Sequence, residues 1–234
     1  MTTIADRLSL AQQRIAAAAT KSARTADEIQ LLAVSKTKPV SDILAAYSAG
    51  QRRFGENYVQ EGQEKVVALA KQCPDIEWHF IGPLQSNKSR IVAEHFDWLH
   101  TVDRSKIAER LNAQRPTDLA QLNVCIQLNI SGEASKSGIV DEASMLALAK
   151  QITGLPQLKL RGLMTIPSHE DEQQLRHEFG RMQQLYRTLQ QHYPAVDTLS
   201  MGMSQDLELA VEYGSTMVRI GSAIFGARDY SNKA

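Results

Sequence analysis

Eight times along this chain a short apolar run of strand length gives way to a stretch of helical spacing. The runs are Leu31 to Val34, a short one ending in Phe54-Gly55-Glu56-Asn57, Glu77 to Gly82, Asp97 to Val102, Leu122 to Ile130, Leu158 to Thr165, Thr198 to Ser200, and Met217 to Gly221. A strand–helix alternation of this kind needs a parallel sheet with helices against it, either open and doubly wound or closed into a barrel. An open sheet usually announces itself by a glycine-rich phosphate turn after its first strand, and here that turn reads Ser35-Lys36-Thr37-Lys38. Eight units in 234 residues fit the closed form, a single TIM-type (β/α)8 barrel. The chain is read as one domain over 1–234, with 1–30 as an N-terminal helical extension.

Local chemistry sets the expected helix ends. Ile4, Leu8, Ala11, Ile15 and Ala18 share a helical face, with Thr3 as N-cap and Asp6 in the first turn. Ser41, Asp103, Asp141 and Ser204 stand at later N-cap positions, and Gly50 and Gly154 at helix ends. A long helix from about Asp171 to His192 carries Leu175, Phe179, Met182, Leu185, Tyr186 and Leu189 as its apolar stripe. In the fifth strand Val124, Ile126, Leu128 and Ile130 lie on one face, and Asn123, Cys125, Gln127 and Asn129 on the other.

Composition narrows the function classes. With 26 Lys plus Arg against 26 Asp plus Glu, nothing points to nucleic acid or an anionic membrane as partner. No apolar run approaches the ~20 residues of a membrane span, and the first twenty residues hold no signal-peptide core. Cys73 and Cys125 form no CxxC and no metal-ligand spacing, so two free thiols in the cytoplasm are expected and no metal site. The sequons at Asn87 and Asn129 are discounted for want of a secretory signal.

In a barrel the functional site lies at the carboxyl ends of the strands. Those ends carry Lys36, Asn57, Gly82, Asn129, Met164, Ser200 with Met201 and Gly202, and Arg219 with Gly221 and Ser222. The strand period places Leu32, Val34 and Lys36 on one face. If that face looks inward, an amine rises from an apolar stack, where desolvation and the like charge of Lys38 favour its neutral, nucleophilic form. The loops Ser200-Met201-Gly202-Met203-Ser204 and Arg219-Ile220-Gly221-Ser222 supply glycines, hydroxyls and the starts of following helices, the materials of a phosphate cradle. An amine facing a phosphate cradle suits a phosphorylated aldehyde, with pyridoxal 5′-phosphate the obvious candidate.

Plainer readings stand beside these. Lys36 could snorkel from a strand end, Arg219 could pair with a carboxylate such as Glu56, and Ser200 and Ser222 could be turn residues or caps. His79 reads as a hydrogen-bonded core histidine, and Met201 and Met203 as packing. Ser35-Lys36-Thr37-Lys38 matches the S-x-x-K pattern of serine acyl enzymes without its companion motifs. Gly202-Met203-Ser204-Gln205-Asp206 lacks the final glycine of a nucleophile elbow.

Taken together, Ala33-Val34-Ser35-Lys36-Thr37, Phe54-Gly55-Glu56-Asn57-Tyr58, the run Trp78 to Lys88, Gly162-Leu163-Met164, Ser200-Met201-Gly202-Met203-Ser204 and Val218-Arg219-Ile220-Gly221 resemble the pyridoxal phosphate homeostasis protein family, whose barrel is similar to the N-terminal domain of alanine racemase. The resemblance implies a non-catalytic, monomeric protein that binds pyridoxal phosphate in vitamin B6 and amino-acid homeostasis. Apo-enzymes that use the cofactor are its implied partners. The resemblance also implies a Schiff base on Lys36, Arg219 facing the pyridine nitrogen, phosphate ligands at Ser200, Gly221 and Ser222, and Asn57 in the ring pocket. Met164 and Met201 are carried with these as cofactor-binding positions. Lys136 matches a lysine proposed to engage a second cofactor molecule. The alternative is a weak amino-acid racemase, which needs a second base on the ring face opposite Lys36.

Overall fold

The computed structural model describes residues 2–133, 135–168 and 171–227. Eight parallel strands follow one another in chain order and close into a barrel. They are β1 (Gln30–Val34), β2 (Arg53–Glu56), β3 (Glu77–Phe80), β4 (Trp98–Val102), β5 (Leu122–Leu128), β6 (Leu158–Thr165), β7 (Thr198–Ser200) and β8 (Met217–Ile220). Closure comes from β1, which pairs with β2 through Ala33 and Phe54 and with β8 through Leu32 and Arg219. The (β/α)8 barrel expected from the alternation is the fold observed.

Around it lie α1 (Ile4–Lys21), α2 (Val40–Ser48), α3 (Val59–Leu69), α4 (Ser89–His95), α5 (Ser105–Gln114), α6 (Glu142–Thr153), α7 (Glu172–His192), α8 (Leu207–Glu212) and the short α9 (Ser222–Phe225). α1 is the N-terminal extension. Thr3 and Asp6 close a capping box at its start, and Leu8, Ala11, Ile15 and Ala18 are its buried face. It packs on α2, α8 and α9, and Arg14 pairs with Glu208. No helix among the described residues is long and apolar enough to cross a membrane.

Three expected caps differ. Pro39, not Ser41, precedes α2, because a proline's fixed φ already suits a helix start. Asp103 pairs with Arg104 and leaves the N-cap position of α5 to that arginine. The loop after β7 runs two residues longer than expected, so Asp206 replaces Ser204 at the start of α8 and accepts a hydrogen bond from the Met203 amide. Asp141 caps α6 as expected, and Asp171, expected as the first residue of the long helix, stands as the N-cap of α7.

Alternate strand residues separate two apolar regions. The main core lies between strands and helices and takes Leu31, Ala33, Val124, Ile126, Leu163 and Leu199. The lumen takes the other set: Leu32, Ile81 and Met217 with Val34 beside them, and Trp98 with Cys125 and Met164. The lumen also buries His79, His100, Ser200 and Arg219. Branched aliphatics dominate the usual barrel interior, so this polar set calls for partners.

Candidate functional site

The apolar face of β1 does look into the lumen, and Lys36 follows Val34 at its upper end, half-buried in the wall of a cavity of about 290 Å3. A tight turn delivers it. The Lys38 amide donates to the Ser35 carbonyl at 3.0 Å, with Thr37 in the left-handed region at φ +63°. A β-branched residue there is strained, and glycine would be the usual occupant.

A buried network holds the turn in place. The Thr37 amide donates to Glu61 Oε1 at 2.6 Å, and the Ser35 hydroxyl donates to Glu56 Oε1 at 2.6 Å. Lys65 Nζ ties the set together, donating to the Ser35 carbonyl (2.8 Å), Glu56 Oε1 (2.8 Å) and Glu61 Oε1 (2.7 Å). Burial pushes the Glu56 carboxyl up, and the Lys65 charge works against that push. Glu56 is therefore the partner of Lys65, not of Arg219. Ser35 is committed to Glu56, which leaves the S-x-x-K pattern without an available nucleophile. Lys38 lies off the cavity wall, its Nζ donating to the Ala227 carbonyl at 2.6 Å.

Arg219 forms part of the same wall although only 4% of it is exposed. Nη1 donates to the Ser200 carbonyl (2.8 Å) and hydroxyl (2.9 Å), and Nη2 donates to the Thr165 carbonyl at 2.9 Å. Burial pushes its pKa down to about 10, so the guanidinium keeps its charge at neutral pH. Asn57 adds a polar group to the wall, its Oδ1 buried with no hydrogen-bond partner among the described residues. Val34, Ile81 and Ile166 supply apolar surface.

The far rim is built from two loops. Gly202 turns the first, at φ +97°, where a Cβ would sit 2.5 Å from that of Ala210. This brings Met203, Ser204 and Gln205 to the cavity. Gly221 and Ser222 come from the second, and a Cβ on Gly221 would approach the Val34 carbonyl oxygen to 3.2 Å. With α8 and α9 so short, the grip on an anion rests on backbone amides and hydroxyls. An amine, a fixed guanidinium, an orphaned amide oxygen, apolar walls and a hydroxyl-lined rim fit a flat phosphorylated aldehyde.

The cavity thus gathers Lys36, Asn57, Arg219, Gly221 and Ser222. Met164, Ser200 and Met201 are not on its wall. Met164 lies in the lumen against Trp98 and Cys125. Ser200 is fully buried, its hydroxyl bonded to Arg219 and His100 and so unavailable to a phosphate. Met201, one residue on, points outward into the main core. The reason is the period of two along β7, which stops below the rim, so its loop reaches the mouth only at Met203 to Gln205. In the sequence Met203 reads as packing and Ser204 as a cap, and no local signal distinguishes them. Lys136 belongs to an adjoining cavity of about 220 Å3 that shares Asn57, Ile81 and Ile166 with the first. Its Nζ donates to Glu133 Oε1 (2.6 Å) and the Pro167 carbonyl (3.1 Å), and the Asn129 side chain steadies its loop through the Glu133 and Lys136 carbonyls.

Comparison with known proteins adds to this geometry. Residues 10–229 match the alanine racemase, N-terminal domain family. The pyridoxal phosphate homeostasis protein of Vibrio alginolyticus is 63% identical over 214 residues, covering 90% of this chain and 91% of that protein. The protein of the same name from Escherichia coli K12 is 57% identical over 235 residues, covering 100% of both. Among solved structures, PipY of Synechococcus elongatus with pyridoxal phosphate bound superposes with a TM-score of 0.80 at 37% identity, covering 96% of this chain and 100% of that one.

Proposed function

The chain belongs to the pyridoxal phosphate homeostasis protein family, and from that premise we propose that its barrel mouth holds pyridoxal 5′-phosphate as a Schiff base on Lys36. Its task on this reading is to keep vitamin B6 and amino-acid pools in balance inside the cell. The observation that carries the proposal is the common wall of Lys36 and Arg219, an amine and a permanent cation across one small cavity with a hydroxyl-lined rim.

The cofactor, when bound, supplies an aldehyde for an amine and a ring that can accept electrons through a protonated nitrogen. Arg219 opposes that protonation if it faces the ring nitrogen, since a guanidinium can only donate and stays charged. The Ser204 and Ser222 hydroxyls and the amides around Gly221 suit the phosphate, and Asn57 suits the ring edge. Among the described residues, Lys36 and Arg219 are the only titratable side chains on the cavity wall. That supports a holder and donor of the cofactor over an amino-acid racemase, which needs a second base. Delivery to apo-enzymes, a monomeric state, a cytoplasmic location and a second cofactor molecule near Lys136 belong to the same proposal.

The test is to load the protein with pyridoxal phosphate, reduce with borohydride and locate the label by peptide mass spectrometry. A label on Lys36 is expected; no uptake, or a label on another lysine, overturns the assignment. Incubation with L-alanine and other L-amino acids should give no D-enantiomer at ordinary enzyme rates, about 1 per second or faster.

A further inference from the structure

The buried polar residues of the lumen form one continuous chain of hydrogen bonds from the cavity to the opposite end of the barrel. Arg219 Nη1 donates to Ser200 Oγ at 2.9 Å, and Ser200 Oγ lies 2.9 Å from His100 Nδ1. His100 Nε2 is 2.9 Å from His79 Nδ1, and His79 Nε2 is 2.9 Å from Glu77 Oε1. Glu77 is the first residue of β3, half-exposed at the rim opposite the cavity, with Arg53 Nε 3.2 Å from the same oxygen.

The two ends of this chain dictate its direction. A guanidinium only donates, and an ionised carboxylate only accepts. Burial works to raise the Glu77 carboxyl, but the His79 hydrogen bond, the charge that ring takes on in acid, and the Arg53 charge bring it down to about 2, so it is ionised at neutral pH. Burial also lowers both histidines, His100 the further, which leaves each imidazole neutral with one N–H. His79 must then carry its proton on Nε2, facing Glu77, and must accept on Nδ1. His100 must in turn donate from Nε2 and accept on Nδ1. Only the Ser200 hydroxyl can supply that last proton, and this turns its lone pairs toward Arg219. Every link then points from the mouth to the far rim.

We propose that Glu77 is a positioning residue for Arg219, acting across the whole barrel through His79, His100 and Ser200. The carboxylate selects one tautomer in each ring, and the serine hydroxyl that results holds the guanidinium in the cavity wall. Without the charge at Glu77 the opposite direction becomes available. His100 would then present Nδ1–H to Ser200, whose own proton would be turned toward a guanidinium that cannot accept it. The titratable and charged groups facing Glu77 are His79 on β3, Arg53 on β2 and Asp97 just before β4, and the Trp98 side chain also lowers it as a hydrogen-bond donor. The tautomer assignment stands on this chain alone; its consequence for the cofactor rests on the reading of Arg219 given above.

Two measurements separate these. Nitrogen-15 NMR of histidine-labelled protein without cofactor reads the tautomers directly. Wild type should show His79 and His100 as neutral Nε2–H rings at pH 7, and Glu77→Gln should make the Nδ1–H form appear in both. A charged or mixed pair in wild type, or no change in Glu77→Gln, overturns the relay. In protein loaded with pyridoxal phosphate, Glu77→Gln should move the absorption maximum or shift the pH at which the spectrum changes by about half a unit. Ser200→Ala, which cuts the chain beyond the histidines, should keep the wild-type tautomers yet give the same spectral change. Glu212→Gln, an equal loss of charge outside the chain, should alter neither. Altered tautomers with an unaltered spectrum would overturn the link to the cofactor, and failure to load would overturn the proposed function while leaving the NMR result standing.

Discussion

Lys65 Nζ lies 2.8 Å from Glu56 Oε1, and both residues are buried beneath the turn that carries Lys36. Removing one member of such a pair strands the other charge in the interior, which typically costs about 3–5 kcal/mol. Lys65→Met should therefore lower stability by roughly 3 kcal/mol in denaturant titration. The double variant Lys65→Met with Glu56→Gln should recover much of the loss. Additive losses would mean the two groups do not act as a pair.

Thr37 occupies a glycine conformation, and its hydroxyl is buried without a partner among the described residues. Thr37→Gly should relieve both and raise stability by about 0.5–1 kcal/mol, net of the added chain entropy of glycine. The same change loosens the seat of Lys36, so bound pyridoxal phosphate should dissociate faster. A variant no more stable than wild type, or with unchanged release, would show that the strain is not stored for the lysine.

Arg219 spans Thr165 and Ser200 as well as the cavity. Arg219→Gln leaves buried carbonyl groups short of a donor and should cost about 1–3 kcal/mol in stability. The loaded protein should keep its cofactor but absorb at a different wavelength, since the cation beside the ring is gone. An unchanged spectrum would mean that Arg219 does not face the ring nitrogen.

Ser204 and Ser222 stand on the two loops of the far rim. Hydrogen bonds to a charged group contribute about 1.5–3 kcal/mol each. Ser204→Ala with Ser222→Ala should weaken retention of pyridoxal phosphate by roughly a hundredfold or more, measured by equilibrium dialysis. Retention within a factor of about two of wild type would place the anion on backbone amides alone.

Glu77 sets an acid limit on stability. Its carboxyl falls from the ordinary 4.5 to about 2 on folding. The folded state thus gains from this group above pH ~4.5 and loses the gain as pH falls toward 2. The stability gap between wild type and Glu77→Gln should be full at pH 6 and should shrink steadily below pH 4.5. A gap independent of pH over that range would mean that the charge at Glu77 adds nothing to folding.

The barrel was legible because each strand and helix announces itself locally. Alternating apolar runs, the Thr3 cap with Asp6 in the first turn, and the Asp141 cap are short-range patterns, and these appear as written. The loop after β7 was not legible. Ser204 followed by a helical stretch reads as a cap, and only the turn at Gly202 and the pull of Asp206 on the Met203 amide move the helix start to Leu207. That shift takes Ser204 from a helix end to the cavity wall and leaves Ser200 below it.

By itself the sequence determined that eight strand–helix units would close into a barrel, and that Lys36, Asn57, Arg219, Gly221 and Ser222 would stand at strand ends facing one mouth. Those facts follow from periodicity, which acts over a few residues at a time. Only the tertiary structure decided what each polar side chain bonds to. Glu56 goes to Lys65, Arg219 goes to Ser200 and Thr165, and His100 on β4 meets Ser200 on β7 across the lumen. Partners of that kind are chosen by the packing of distant strands around a closed interior, where a buried polar group must take whatever donor or acceptor the opposite wall presents.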